Sequence, residues 1–366
     1  MKKVILSGGG TAGHIYPAVA VAEALKRRFG DDVELLFVGA EGRMEMERVP
    51  ALGYRIESLP IAGLKRGFYL SNLLLPFKIV QSLWRAWRII KRFKPDVVVG
   101  FGGYASAPIV RAAQWEEVRT VIQEQNSYAG MTNKTLSKRA DAICVAYEGM
   151  ERFFPAERIT LTGNPLRGSF GQSVDRVEAL SHFGLKSDLP TILIVGGSLG
   201  TRTLNEMMKR WIGDGGAKKA VQVIWQTGRY YSEEMTRFVE ANPAANVWSG
   251  PFIERMDYAY AAADIVISRS GASTVSELSL VGKATIFVPS PNVSEDHQTK
   301  NAQALVDVGA ALLVADAQAV KDAMPLAEAT LADSDKLVSL QANILTLGRG
   351  DAADRVVDIV IEKECF

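Results

Sequence analysis

The amino-acid sequence predicts an α/β protein built from two Rossmann-like domains, each with a doubly wound parallel sheet. Short apolar runs rich in β-branched residues recur along the chain and alternate with helical segments, which is typical of parallel sheets covered by helices. A strand–glycine–helix opening occurs twice, near residue 8 and again near residue 196. The chain of 366 residues is also longer than one hydrophobic core usually serves, so two domains are expected.

The predicted strands divide between two halves of the chain. In the first half they lie at residues 4–7, 34–38, 55–59, 96–100, 120–123, 142–146 and 160–162. In the second half they lie at residues 191–195, 222–226, 247–250, 264–268, 285–289 and 311–314. Gly and Pro punctuate residues 163–168, which predicts a linker. We therefore expect domains at 1–164 and 165–347, with a C-terminal helix within 348–366 that packs back on the first domain.

Composition and charge limit the classes of protein to which the chain can belong. Its hydrophobic content of 48% and charged content of 23% are those of a soluble globular protein. A net charge of +1 gives no overall field that would attract nucleic acid, so we expect no nucleic-acid partner. The two cysteines, Cys144 and Cys365, form no disulfide framework, and no signal peptide or membrane-spanning run is apparent. These features predict a location in the cytosol.

The stretch from residue 263 to residue 278 gives the strongest local signal of a binding site. A short β-branched strand is followed by small residues beginning at Ser270, and then by a helix. In a parallel sheet such a turn presents backbone N–H groups and the positive end of a helix dipole, which suits a phosphate. Thr274 and Glu277 also have the spacing of a capping box, so the alternative is that Glu277 only stabilises its own helix.

Similar turns follow other predicted strands. A glycine loop at residues 8–14 follows the first strand, and glycine-rich or polar turns occur at 102–104, 124–126 and 196–201. Polar turns that gather at the carboxyl ends of strands are how α/β folds build a site. The alternative is that these turns need glycine only for their shape. No acidic residue ends the second predicted strand, which disfavours a nicotinamide cofactor.

These motifs occur in the order found in a known enzyme family. They are the turns at 8–14, 102–104 and 124–126, the segments at 163–167 and 196–198, Arg269-Ser270-Gly271-Ala272, and His297-Gln298 with Asn301. Over nearly its whole length the chain resembles the MurG family of GT-B glycosyltransferases. These are the undecaprenyldiphospho-muramoylpentapeptide β-N-acetylglucosaminyltransferases of glycosyltransferase family 28. The resemblance implies a GT-B fold, in which two Rossmann-like domains face a cleft.

The resemblance also implies an activity. The family transfers N-acetylglucosamine (GlcNAc) from UDP-GlcNAc to the C4 hydroxyl of the N-acetylmuramoyl (MurNAc) pentapeptide of lipid I. The reaction inverts the anomeric carbon and gives lipid II for peptidoglycan. By resemblance, the domain at 1–164 takes the acceptor and binds the membrane, and the domain at 165–347 takes UDP-GlcNAc. No cofactor and no metal are implied; Asp333-Ser334-Asp335 has a metal-motif spacing, but its late helical segment predicts a solvated surface.

The family's site residues can be carried over to matching positions of this chain. The donor contacts fall on Thr11, Ala12, Gly13, Asn126, Arg167, Ser198, Ile253, Ala272, Ser273, Thr274, Val275, Ser276, Glu277 and Gln298. Chemistry agrees, because a guanidinium pairs with phosphate and a carboxylate can accept from two ribose hydroxyls. For Ile253, beside the expected uracil, core packing is the alternative. His14 and Glu124 compete for the role of catalytic base, and His14 has the alternative of only binding the donor phosphate or capping its helix.

Two other functions fit the same predicted fold. A UDP-GlcNAc 2-epimerase-like isomerase would share the nucleotide side of the site but would need no lipid acceptor. A non-catalytic nucleotide-sugar binder would need neither His14 nor Glu124. Release of UDP that depends on an acceptor distinguishes the transferase from both.

A basic and apolar segment predicts an anionic membrane surface as a partner. Residues 58–95 contain no acid but eight cations, namely Lys65, Arg66, Lys78, Arg85, Arg88, Lys91, Arg92 and Lys94. Pro76 fits the first turn of a helix towards Phe93, and we expect most of its apolar stripe, Val80, Leu83, Trp84 and Trp87, to be buried. Cations around the apolar loop Leu73-Leu74-Leu75 predict peripheral binding to the cytoplasmic face of the inner membrane, where a lipid-linked acceptor lies.

Overall fold

The chain forms two compact units, Met1–Gly168 with Arg349–Phe366, and Ser169–Gly348. The structure, a computed structural model, describes residues 1–61, 75–167 and 174–362, apart from the side chains of four residues within them, Ala12, Leu75, Pro76 and Ser294. The segment Leu73-Leu74 and the cations Lys65 and Arg66 lie outside the described residues. Each unit has its own sheet and its own buried core.

The first unit contains a seven-stranded sheet in the order β3-β2-β1-β4-β5-β6-β7, with parallel pairings. Its strands are β1 (Lys2–Ser7), β2 (Val33–Ala40), β3 (Ile56–Leu59), β4 (Val97–Gly100), β5 (Arg119–Glu124), β6 (Ala142–Val145) and β7 (Ile159–Leu161). In the register of β1 and β4, Ser7 lies beside Gly100. The loops that follow these two strands therefore start side by side, although the strands are far apart in sequence.

The second unit contains a six-stranded parallel sheet in the order β10-β9-β8-β11-β12-β13. Its strands are β8 (Thr191–Val195), β9 (Gln222–Gln226), β10 (Val247–Gly250), β11 (Ile265–Ser268), β12 (Ala284–Phe287) and β13 (Leu312–Leu313). Val195 lies beside Ser268, so the loops after β8 and β11 also start together. In both units the strand order reverses at this point, which is where open α/β sheets bind ligands.

Helices cover both faces of each sheet. They are α1 (Ala12–Phe29), α2 (Glu45–Ala51), α3 (Leu75–Phe93), α4 (Ser106–Trp115), α5 (Met131–Leu136), α6 (Arg176–His182), α7 (Arg202–Gly213), α8 (Ser232–Ala241), α9 (Met256–Ala262), α10 (Ala272–Val281), α11 (His297–Val306), α12 (Asp316–Ala332), α13 (Ser334–Thr346) and α14 (Ala352–Val360). This covering explains why the strands read as continuous apolar runs rather than alternating ones. Among the described helices, none combines the length and the apolar character needed to cross a bilayer.

The predicted fold class is confirmed, and each predicted strand corresponds to an observed one. One boundary matters for function. Strand β2 ends at Ala40, beyond its predicted end, so that Glu41 follows it directly. The statement that no acid ends the second strand was therefore wrong, and a nicotinamide site has to be judged on other grounds.

Helix α3 packs on the first sheet with a different face from the one expected. Its buried side chains are Ser82, Ala86, Ile89, Ile90 and Phe93. The stripe that was expected to be buried is largely exposed, since Val80 is 66%, Trp84 55% and Trp87 39% accessible. The prediction was wrong because both faces of α3 carry apolar residues, and periodicity alone does not show which face the sheet covers. Leu75 also belongs to the helix, not to the loop before it.

Candidate active site

The first glycine loop joins β1 to α1 and is held by a buried carboxylate. Glu45 is fully buried; its Oε2 accepts a hydrogen bond from Gly10 N–H (3.1 Å) and its Oε1 accepts one from Ala40 N–H (3.0 Å). A Cβ on Gly9 would lie 2.2 Å from Glu45 Oε1, so only glycine leaves room for this carboxylate. One N–H of the loop thus faces a protein anion. No sequence signal marked Glu45, because a glutamate at the start of a helix usually lies on the surface.

His14 lies in the first turn of α1, at the edge where β1, β4 and β5 end. Its Nδ1 is 2.9 Å from Oε1 of Gln125, which follows β5 directly. Beside the ring is Gly102, where a Cβ would lie 3.1 Å from His14 Cε1. The fold therefore brings the first glycine loop and the turn at 124–126 together, as their order on parallel strands led us to expect.

Glu124, the rival of His14 as a base, is buried and has both oxygens occupied. Oε1 accepts from the backbone N–H and the Nδ2 of Asn126, at 3.1 and 3.3 Å. Oε2 accepts from Gly130 N–H (3.1 Å) and from Asn133 Nδ2 (2.9 Å). These four hydrogen bonds fix the position of the Glu124 carboxylate and order the loop around it.

Other residues of the first unit that were expected to contact the donor include Thr11, Gly13 and Arg167. Thr11 is the N-cap of α1, but its hydroxyl makes no capping hydrogen bond. The guanidinium of Arg167 forms an ion pair with Glu23 (3.2 Å) and lies 5.8 Å from the centre of the Tyr16 ring. The anion expected beside Arg167 is thus supplied here by a carboxylate of α1. Gly13 is partly buried in the first turn of the same helix.

In the second unit, no carboxylate of the described residues is hydrogen-bonded to the glycine loop after β8 as Glu45 is to the first loop. Thr201 caps the loop by donating from Oγ1 to the carbonyl of Gly196 (2.9 Å). Ser198, at the tip, is exposed. The loop packs against the turn after β9, where a Cβ on Gly228 would lie 2.0 Å from Gly200 Cα, so this close approach of two backbones requires glycine.

Helix α10 starts beside this loop, but not where the sequence suggested. Gly271 is the N-cap and no side chain caps the helix, so Thr274 and Glu277 lie inside it. The capping-box interpretation was therefore wrong. The donor-contact residues of α10 divide into two groups: Ala272 and Val275 are buried, whereas Ser273, Thr274 and Ser276 are partly buried. The first turn leaves backbone N–H groups without partners in the helix, at the positive end of its dipole.

The Glu277 carboxyl is perturbed by its surroundings. The hydroxyl of Tyr260 donates to its Oε2 (3.1 Å). Burial disfavours the charged carboxylate and raises the pKa of Glu277 to about 7, although the Tyr260 hydrogen bond acts in the opposite direction. Burial likewise raises the pKa of Tyr260. Perturbed acids of this kind are concentrated at functional sites. Tyr260 was not expected at the site, since a Tyr in an apolar helix usually indicates core packing.

Ile253, which was expected beside the uracil base of the donor, is connected through Gln226 to the glycine loop after β8. The Ile253 side chain is buried, as its core-packing alternative required. Its backbone N–H donates to Gln226 Oε1 (2.9 Å), and Gln226 Nε2 donates to the carbonyl of Gly197 (3.0 Å). This arrangement leaves the Ile253 carbonyl, rather than its N–H, as the edge that a base could contact.

Gln298 and Arg269 connect the neighbouring strand ends of the second unit. Gln298 Oε1 accepts from Ser290 N–H (2.9 Å), and its carbonyl accepts from Ser270 Oγ (2.8 Å). Arg269 pairs with Asp316 (2.6 Å) and donates to the carbonyl of Val288 (2.8 Å). Gln298, a predicted donor contact, is therefore hydrogen-bonded to the turn that precedes α10.

In the part of the chain that the structure describes, no group of three or more His, Cys, Asp or Glu side chains could hold a metal ion. Asp333 of the Asp-x-Asp motif is the N-cap of α13 and accepts from Lys336 N–H (3.0 Å). This role in capping agrees with the helix-surface interpretation of the motif.

Comparison with known proteins identifies the family. Residues 4–145 match the glycosyltransferase family 28 N-terminal domain, and residues 191–346 match the C-terminal domain of that family. A protein of Parabacteroides distasonis, named UDP-N-acetylglucosamine--N-acetylmuramyl-(pentapeptide) pyrophosphoryl-undecaprenol N-acetylglucosamine transferase, is 51% identical over 98% of both chains.

Solved structures agree with this relationship. The crystal structure of Acinetobacter baumannii MurG is 30% identical and superposes with a TM-score of 0.80, covering 99% of this chain and 100% of that one. The UDP-GlcNAc 2-epimerase of Neisseria meningitidis, with 16% identity and a TM-score of 0.65 over 98% of this chain and 100% of that one, shares the fold alone. The epimerase and nicotinamide interpretations are thus not favoured. The chain belongs to glycosyltransferase family 28 and is a hexosyltransferase.

Proposed function

We propose that this chain transfers GlcNAc from UDP-GlcNAc to the C4 hydroxyl of the MurNAc-pentapeptide of lipid I and so makes lipid II for peptidoglycan. The observation that carries the proposal is its 51% identity, over 98% of both chains, to a transferase named for that donor and an undecaprenol-linked acceptor. Because the polar turns of both units lie at the points where strand order reverses, each unit has a site suited to one of these two substrates.

The second unit is the better site for the diphosphate of UDP. The first turn of helix α10 has backbone N–H groups without partners in the helix, and among the described residues no hydrogen bond joins a carboxylate to the backbone of the loop at Ser198. In the first unit, by contrast, Gly10 N–H is bonded to the Glu45 carboxylate, whose charge would repel a phosphate. On this basis the family's donor contacts at Ala272 to Glu277 hold UDP-GlcNAc, and Glu277 accepts hydrogen bonds from the ribose.

His14 fits the role of catalytic base better than Glu124. Both oxygens of Glu124 already accept hydrogen bonds from the chain, four in all, whereas an imidazole is the side chain that most often acts as a general base. In the proposed step the acceptor's C4 oxygen forms a bond to the anomeric carbon and its proton passes to His14. The bond from that carbon to the phosphate oxygen breaks, and UDP leaves with the electron pair.

The exposed face of α3 supports binding at a membrane surface. Phe77, Val80 and Trp84 are 76%, 66% and 55% accessible and follow one another at helical spacing. Lys91 and Arg92 are ion-paired with Glu116 and Glu57, so the run of cations is less basic than its sequence suggests. Arg88 lies over the Trp84 ring (4.8 Å), which places a cation at the edge of the apolar face. We infer peripheral attachment to the anionic, cytoplasmic face of the inner membrane.

One experiment tests the proposed function. The protein is incubated with UDP-GlcNAc, with and without a lipid I analogue, and release of UDP is followed together with the sugar products. Release that requires the acceptor supports the transferase. Formation of an epimerised sugar nucleotide without acceptor would instead indicate an isomerase, and binding without turnover would indicate a nucleotide-sugar binder.

The base assignment has its own test. His14→Ala should lower kcat by roughly 100-fold or more, the usual contribution of a positioned base, and should leave UDP binding nearly unchanged. Calorimetric titration with UDP gives the affinity. A loss of UDP affinity as large as the loss of rate would mean that His14 binds the donor phosphate.

A further inference from the structure

The side chain of Gln125 contacts one of the two nitrogens of the His14 ring, Nδ1. We propose that Gln125 is a positioning residue that holds His14 as the tautomer protonated at Nδ1, which leaves Nε2 to accept the proton of the incoming hydroxyl. This inference rests on the proposed function, in which His14 is the base.

The orientation of the Gln125 amide is determined by its neighbours. Gln125 is 1% accessible, and its Nε2 lies within hydrogen-bond distance of the carbonyls of Phe101 (2.8 Å) and Gln123 (3.1 Å) and of Gln123 Oε1. Backbone carbonyls only accept hydrogen bonds, so the group that faces them must be the NH₂. The reverse orientation would bring the Gln125 oxygen against these oxygens and leave buried acceptors unsatisfied.

The amide oxygen then fixes the protonation of the imidazole. Since Gln125 Oε1 points at His14 Nδ1 over 2.9 Å and can only accept, Nδ1 must carry the hydrogen. In a neutral imidazole one nitrogen donates and the other accepts, so Nε2 holds the lone pair. In water the neutral histidine side chain prefers the opposite tautomer, with the proton on Nε2. The buried amide therefore selects the form that can act as a base through Nε2.

The group that orients the His14 ring is an uncharged amide, whereas a carboxylate in its place would add a negative charge. A carboxylate beside Nδ1 would stabilise the imidazolium and raise the pKa of the ring, whereas an amide orients the ring without adding charge. The acids on the adjoining elements, Glu45 of α2 and Glu124 of β5, are both bonded to backbone N–H groups of their own loops. The group that orients the ring at Nδ1 is thus an uncharged amide and not a carboxylate.

Nuclear magnetic resonance can read the tautomer directly in the intact protein. The chain has only three histidines, His14, His182 and His297, so His14→Asn identifies the His14 signals by difference. In long-range ¹H–¹⁵N spectra above the pKa of the ring, we expect a protonated Nδ1 and an unprotonated Nε2 for His14. A wild-type ring protonated at Nε2 would overturn the proposal, and this measurement needs neither substrate nor catalysis.

The matched variant is Gln125→Met, which keeps length and volume but removes the accepting oxygen. We expect the His14 tautomer to shift towards Nε2–H and kcat to fall roughly 10- to 100-fold, part of what a positioned base contributes, with the dissociation constant of UDP unchanged. Gln114→Met is the control, because Gln114 lies near the C-terminal end of α4 and donates to the carbonyl of Leu136. It should change neither the tautomer nor kcat.

The outcomes separate this inference from the proposed function. If Gln125→Met leaves the His14 signals as in the wild type, Gln125 does not fix the tautomer and the inference fails. If the tautomer shifts but acceptor-dependent UDP release does not slow, His14 is not the base, and the role given to Gln125 in the reaction fails with it. If Gln125→Met does not fold, as judged by circular dichroism, the tautomer of His14 in the wild-type protein still tests the proposal.

Discussion

At the scale of single residues, the two units differ in how they use buried carboxylates. Glu45 and Glu124 are buried, and their oxygens accept hydrogen bonds from backbone or amide donors, as buried polar groups in folded proteins usually do. Among the described residues, Glu277 in contrast accepts one hydrogen bond, from Tyr260, and burial raises its pKa to about 7. An acid that is buried with unused acceptor capacity is poised to receive hydroxyl donors from a ligand.

Glu277 should therefore determine donor affinity. Glu277→Gln should weaken UDP-GlcNAc binding by about 1.5–3 kcal/mol, the range for hydrogen bonds to a charged group. Isothermal titration calorimetry at pH 8 measures the change. Glu206→Gln is a suitable control, because Glu206 is a partly exposed acid of the same unit that pairs with Lys209. An unchanged dissociation constant in Glu277→Gln would remove this residue from the site.

The same carboxyl should make stability depend on pH. Its pKa is raised from 4.5 to about 7 on folding, so the folded state binds the proton more tightly than the unfolded state between these values. The contribution of this group to the free energy of unfolding should thus be largest below about pH 4.5 and should be lost as pH rises through 7, a change of about 3 kcal/mol. Urea denaturation at pH 5 and pH 8 should show Glu277→Gln gaining stability relative to wild type at the higher pH. Equal differences at both values would contradict the raised pKa.

At the scale of elements, α3 and α10 show where a helical pattern is ambiguous. Both were expected as helices from local sequence, and both are helices. The buried face of α3 and the first residue of α10 differ from expectation, because each depends on the sheet beneath the helix. For α10 the earlier start adds Ala272 and Ser273 to the first turn and moves Glu277 from a cap position to a partly buried one.

The exposed face of α3 should carry membrane affinity. Replacing Phe77, Val80 and Trp84 with Ser should reduce binding to phosphatidylglycerol vesicles and turnover of a lipid-linked acceptor, while UDP binding stays the same, because apolar area drives interfacial insertion. Co-sedimentation with vesicles measures this. Val338→Ser is the control, since Val338 is a 61% accessible residue of α13 in the other unit.

Vesicle binding by the wild type should also weaken at high salt, because the cations flanking α3 act through a screened field. Co-sedimentation that is indifferent to the α3 substitutions, to salt and to lipid charge would mean that this face is ordinary surface.

At the scale of the whole molecule, the chain leaves the first unit near residue 168 and returns to it at residue 349. The returning helix α14 buries Val356, Val357 and Val360 in the core that contains α1. Arg27 pairs with Asp354 (3.0 Å) at its edge, an exposed ion pair of small value. The C-terminal helix α14 thus completes the core of the first unit.

Weakening α14 should destabilise the first unit. Val356→Ala together with Val360→Ala removes apolar volume from a filled core, and each change should lower the free energy of unfolding by about 1–3 kcal/mol. Denaturation followed by tryptophan fluorescence and by amide exchange of the first unit measures the loss. Val338→Ala, at an exposed position, should have little effect. A stability equal to that of wild type would show that α14 is dispensable.

The fold class, the strands and the turns that carry the site could be predicted from local sequence, because parallel strands buried on both faces leave an apolar signal that glycine and polar turns interrupt. The order of its motifs also indicated the family. Only the tertiary structure decided that Glu45 holds the first glycine loop, that Gln125 contacts His14, and that Tyr260 contacts Glu277. These pairs are distant in sequence, and their contacts depend on strand order and burial. Strand order and burial cannot be predicted from local patterns, because such patterns show which residues alternate but not which segments become neighbours.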